Sequence, residues 1–185
     1  MIKEVINDVK QQMEKTLFNT KAELGKVRTG QANLSMVDSI KVDYYGTMTP
    51  LKQMANIGIP EARLITIQPW DKTQLGAIEK AILKADIGVT PNNDGNIIRL
   101  PIPPLTEERR KEIIKMLHDM GEQRKVSIRN IRKEAMKTLK DAEHDGEISE
   151  DEKYNAEVDI QELTDKYIDE IDKVISSKEK EVKKI

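Results

Sequence analysis

The chain contains no cysteine, which excludes disulfides, thiolate metal sites and a cysteine nucleophile. Only 3% of its 185 residues are aromatic, with a single tryptophan and a single phenylalanine, while 35% are charged. That balance favours helices over a β-sandwich. No apolar run approaches the roughly eighteen residues of a membrane span, and the opening Met1-Ile-Lys-Glu-Val-Ile-Asn-Asp8 lacks the apolar core of a secretion signal. The expected setting is cytoplasmic, with no membrane among the partners. Walker loops, dinucleotide fingerprints, nucleophile elbows and zinc spacings are missing too, and the glycines fall singly in turns. His118 and His144 sit about 39 Å apart if they share one straight helix, too far to hold one metal or relay one proton. No catalytic residue, metal site or cofactor is assigned, and the chain is read as a non-enzyme.

What the sequence does contain is long helical periodicity. Ile2, Val5, Ile6, Val9, Met13, Leu17, Thr20, Leu24 and Val27 recur at three and four, which predicts one amphipathic helix over 2–28. Gly30 suits a left-handed cap at its end, and Arg28 suits either the carbonyl-rich terminus or a ligand. The period returns at Thr106. Ile113, Leu117, Met120, Ile128, Ile131, Ala135, Leu139 and Ala142 predict a helix of nearly forty residues, capped by Thr106 and broken at Asp145-Gly146. Ser149-Glu-Asp-Glu152 reads as a capping box that opens a third long helix through Ile160, Tyr167, Ile171 and Val182.

Between the first and second helices the apolar period shortens to two. Ile40, Val42 and Tyr44 alternate with charges, Leu64-Ile-Thr-Ile67 is a second strand, Tyr45 to Pro50 reads as a turn, Asp71 to Asp86 as a short helix and Asn96 to Leu100 as a strand. Trp70 is expected beneath that short helix. Met36, Met48, Met54, Met116, Met120 and Met136 are expected as core filler. Pro101-Ile-Pro-Pro104 reads as a stiff connector.

None of the three long helices can bury its stripe alone. The predicted class is therefore α+β: an elongated antiparallel three-helix bundle formed by residues 1–29 and 105–185, with a small β/α domain, 31–104, inserted. The chain crosses twice between them, so a paired hinge is expected at Thr29, Gly30 and Gln31 and at Pro101, Pro103 and Pro104.

The second helix carries a further pattern. At about 100° per residue, Lys125, Arg129, Arg132, Lys133 and Lys140 project within about 100° of one another and away from the seam centre. From Thr106 to Lys140 there are eleven Lys/Arg against six Asp/Glu, whereas Asp141 to Asp172 holds fourteen carboxylates and two lysines. A net charge of -2 hides this segregation. A local basic strip beside an acidic helix can seat on nucleic-acid phosphates in one orientation, although a solvated helix face has the same composition.

Several motifs, in order and over nearly the whole chain, resemble bacterial ribosome recycling factor: Val27-Arg-Thr-Gly30 with Ala32, Tyr44-Tyr-Gly-Thr47, Thr49-Pro-Leu51, Leu100-Pro-Ile-Pro-Pro-Leu-Thr-Glu-Glu-Arg-Arg110, Arg129-Asn-Ile-Arg132 and Ile148-Ser-Glu-Asp-Glu152. The resemblance implies an L-shaped molecule with the outline of transfer RNA. It also implies a monomeric partner of the 70S ribosome that splits it into subunits after termination, together with elongation factor G. The GTP is used by that factor, and this chain has no cofactor. Arg129 and Arg132 would then touch large-subunit ribosomal RNA, with Arg28 beside the hinge, and the insert would face elongation factor G. Position 31, usually arginine in the motif, is Gln31 here, which removes a cation from the hinge. Two other classes share the rod: a helical adaptor or chaperone that binds protein, and a hydrolase or nuclease.

Overall fold

The computed structural model describes residues 1–184. In order, the chain forms α1 (Ile2–Gly25), β1 (Lys41–Tyr44), β2 (Thr47–Pro50), β3 (Ala55–Glu61), β4 (Leu64–Pro69), α2 (Leu75–Ala85), β5 (Asn92–Asn93), β6 (Ile98–Pro101), α3 (Glu107–His144) and α4 (Glu150–Lys183), with short 3₁₀ turns between some of them. It divides into two compact units, one built from Met1–Val27 and the chain from Arg110 onward, the other from Arg28–Arg109.

The first unit is a helical bundle. Val9 and Met13 of α1, Ile128, Ala135, Leu139 and Ala142 of α3, and Ala156, Ile160 and Tyr167 of α4 are buried in one core. Each set keeps the spacing of three and four that one helical face requires. At about 1.5 Å per residue, the 38 residues of α3 span about 57 Å. Its start is capped as the sequence predicts, with the Arg109 N–H donating to the Thr106 hydroxyl at 3.1 Å. The chain reverses at Gly146, where φ is +76°, and Ser149 with Glu152 completes a reciprocal capping box at the start of α4. Among the described residues no helix is long and apolar enough to cross a membrane.

The second unit pairs β1 with β2 and sets the other strands in the order β3-β4-β6-β5, antiparallel throughout. Ile65 and Ile67 of β4, Ile98 and Leu100 of β6, and Ile78 and Ile82 of α2 fill its own core with Val42 and Leu51.

Several expectations need correction. α1 ends at Gly25 rather than at 28, because the Lys26 and Val27 N–H groups already fold back onto Glu23 and Leu24 carbonyls. Gly30 is not its cap. With φ at +75°, it lies where a Cβ would come within 3.0 Å of Leu105 Cγ. Of the expected turn at Tyr45 to Pro50, only Tyr45-Gly46 turns; both have positive φ, the two-residue hairpin geometry, and Thr47–Pro50 is strand. β3 is an additional strand whose alternation Gly58 and Pro60 break; the pairing with β4 shifts register between Gly58 and Glu61 and so accommodates them. Pro101 extends β6 and pairs with Leu64, and Ile102 donates to the Arg63 carbonyl at 2.8 Å, so the connector begins later. Trp70 is 69% exposed rather than packed under α2. Strand parity explains it: Ile65, Ile67 and Pro69 take the inward positions, and residue 70 falls on the other face. Met54 is buried, whereas Met48 and Met116 are exposed.

Thr29, Gly30, Gln31, Pro101, Pro103 and Pro104 all lie within the second unit, and the chain passes between units at Val27/Arg28 and Arg109/Arg110. Of these, Pro101 pairs with Leu64 and Gly30 lies against Leu105.

Ile128→Ala empties a fully buried site and is expected to lower unfolding free energy in denaturant titration by about 2 to 5 kcal/mol. Burial, and then the 3.1 Å hydrogen bond from its hydroxyl to Glu14 Oε1, push the Tyr167 phenol up to about 12. Because the folded value is raised, its contribution is complete below the unfolded value of about 10 and is lost as pH climbs from there towards 12. Tyr167→Phe should remove that component of the alkaline decline in stability, and an unchanged decline would refute the assignment.

Candidate nucleic-acid interface

α3 and α4 run antiparallel, tied by Glu143 with Lys153, Arg132 with Gln161, Lys125 with Asp172 and His118 with Glu179. These ties, with the buried seam of Leu117, Ile128 and Leu139, fix the rotation of α3 about its own axis. The fixed rotation decides which cations reach solvent.

Arg129 and Lys133 are exposed, as is Lys140, and none of the three forms a hydrogen bond or ion pair within the described residues. They project about 100°, 140° and 120° from Ile128, so they share one outward stripe. Arg132 stands at the edge of that stripe. It is half-buried, and its Nη1 donates to Gln161 Oε1 at 2.7 Å. The structure thus brings Arg129, Arg132 and Lys133 together on one flank of one helix.

Lys125 differs. Its Nζ lies 2.8 Å from Glu122 and 3.1 Å from Asp172, and its side chain is largely covered. The Glu122 hydrogen bond, with Asp172 behind it, pushes the ammonium pKa up, and the same bond holds the Glu122 carboxyl below the usual carboxylate range. The charge of Lys125 is already matched within the fold, so it offers less to a phosphate than its neighbours. Arg28, exposed, belongs to the other unit. Its guanidinium covers Gly88, where an added Cβ would run into Nη1. A left-handed glycine therefore makes room for it, and Arg28 caps no helix.

Gln161 was not foreseen. Counting outward equally along both helices from the turn at 146–148 sets position 132 opposite 162, so the antiparallel register points to this stretch of α4 but not to the residue itself.

The profile of the ribosome recycling factor family matches residues 20–182. The chain belongs to the ribosome recycling factor family. It is 53% identical over 185 residues to the ribosome-recycling factor of Halothermothrix orenii, covering 100% of both chains. A solution structure of a ribosome recycling factor superposes with a TM-score of 0.80 at 42% identity, covering 98% of this chain and 96% of the other. A second structure, at 40% identity, 98% coverage of both chains and a TM-score of 0.66, describes the T. thermophilus ribosome recycling factor and the E. coli elongation factor G bound to the E. coli post-termination complex. The family consists of translation factors that are not themselves catalysts.

The difference between Lys125 and Lys133 is directly measurable. Acylation by a water-soluble succinimidyl ester, followed by mass spectrometry, should modify Lys133 several-fold faster than Lys125, since only free amine reacts and two carboxylates hold the Lys125 ammonium. Equal rates would show that the Lys125 cage is open in solution.

Proposed function

We propose that this chain recycles post-termination ribosomes by splitting them into subunits together with elongation factor G and GTP, and that its bundle binds large-subunit ribosomal RNA through the flank carrying Arg129, Arg132 and Lys133. The observation that carries the binding surface is the exposed charge of Arg129 and Lys133 on a helix whose rotation is fixed by its buried seam. Full-length relatives of the same family, and the relative described with elongation factor G on a post-termination complex, support the role and the partners.

The chemistry required is modest. Guanidinium groups present planar forks that match phosphate oxygens, and such contacts hold position without reading sequence. A three-helix rod is stiff along its axis because its backbone hydrogen bonds are internal and its core is shared. The second unit faces the GTPase and swings about the crossings at Val27/Arg28 and Arg109/Arg110, while the rod transmits the force to the subunit interface. GTP hydrolysis, performed by the partner, supplies the energy. The protein works as a monomer in the cytoplasm.

Arg129→Ala combined with Arg132→Ala should weaken binding to large subunits at least ten-fold and reduce the slope of log affinity against log salt by about 1.5 to 2, for two lost phosphate contacts. Unfolding free energy should change by no more than about 1 kcal/mol, since neither side chain is in the core. In light scattering, subunit splitting should require the GTPase, GTP and the parent chain together, and should fail with the double variant. Full binding by that variant would leave the flank a solvated face.

A further inference from the structure

Arg132 has a long stem with about 2 kcal/mol of rotamer entropy, and an arginine that must find its phosphate from many rotamers gives up much of that freedom on binding. The structure removes part of this cost beforehand. Arg132 Nη1 donates to Gln161 Oε1 at 2.7 Å, and Gln161 Nε2 donates in turn to Asp165 Oδ1 at 2.9 Å, one helical turn along α4. Only one orientation of the amide satisfies both neighbours, because reversing it would set donor against donor at the arginine and acceptor against acceptor at the aspartate.

We infer that Gln161 is a positioning residue for ribosome binding: it holds the Arg132 guanidinium in one orientation through a neutral acceptor, so that the cation is ordered and keeps its full charge for an RNA phosphate. The inference rests on the reading of the α3 flank as the RNA-binding surface. The other cations that reach across from α3 show what Gln161 avoids. Lys125 is met by Asp172 and Glu122, and Arg124 by Glu23, all carboxylates that match the charge. At Arg132 the partner is an amide, and Asp165 anchors that amide from its far side. A glutamate at 161 would give the same reach and the same acceptor and would cancel the charge.

The test uses the full chain and measures binding to purified large subunits over a range of salt. Gln161→Ala should weaken binding roughly three- to ten-fold, the effect of freeing one side chain, with the salt slope unchanged because no charge is lost. Gln161→Glu should weaken it and also flatten the slope, by about as much as Arg132→Ala. In an Arg132→Ala background, Gln161→Ala should change affinity less than two-fold. The thermal midpoint of each variant should stay within about 2 °C of the parent. Parent-like binding by Gln161→Ala, or an equal loss with and without Arg132, would overturn the inference, the second result marking a purely structural side chain. If Arg132→Ala itself binds like the parent, the RNA-binding reading at Arg132 is at fault and the inference falls with it.

Discussion

The constraint on which the rest depends is the burial of one face of α3 in the core it shares with α1 and α4. Leu117, Ile128 and Leu139 are completely buried, and at Gly121 the helices approach so closely that a Cβ would lie 3.3 Å from Ile175 Cγ1. Each such side chain contributes roughly 1.5 to 3 kcal/mol by leaving water. Rotating α3 by even a quarter turn would expose this seam and bury cations in its place. Charge placement and stability are thus coupled through one angle: the seam that is buried turns Arg129 and Lys133 outward.

Around that angle the fold sorts its cations by partner. Lys125 and Arg124 are met by carboxylates and Arg132 by an amide, while Arg129, Lys133 and Lys140 stand exposed. The acidic character of α4 serves this sorting, since its Asp165 and Asp172 act at specific registers of α3. The second unit has a core of its own and needs no share of the bundle's.

Periodicity made the bundle legible, because a buried stripe that recurs every three or four residues for nearly forty positions admits one local structure. The Thr106 cap and the Ser149–Glu152 box were legible for the same reason: their hydrogen bonds are local. What depends on distant partners was not. The pairing of Lys125 with Asp172 spans most of two helices, and Gln161 acquires meaning only beside Arg132. Gly58 and Pro60 concealed β3, whose irregular register is set by β4 and not by its own pattern. Trp70 was misplaced because aromatic character suggested burial while strand parity, anchored by Ile65 and Ile67, decided otherwise.

Because the chain has no cysteine, a single introduced thiol can carry a tethered iron chelate without side reaction. Lys140 and Glu134 are both exposed and stand about 120° apart around α3. Lys140→Cys and Glu134→Cys, each loaded with the chelate and bound to large subunits, probe the two flanks of the same helix by hydroxyl-radical cleavage. Strong cuts in large-subunit ribosomal RNA from position 140, with weak or no cuts from 134, are the expected result. Equal cutting from both, or cutting from 134 alone, would contradict the placement of the RNA on the Arg129–Lys133 flank.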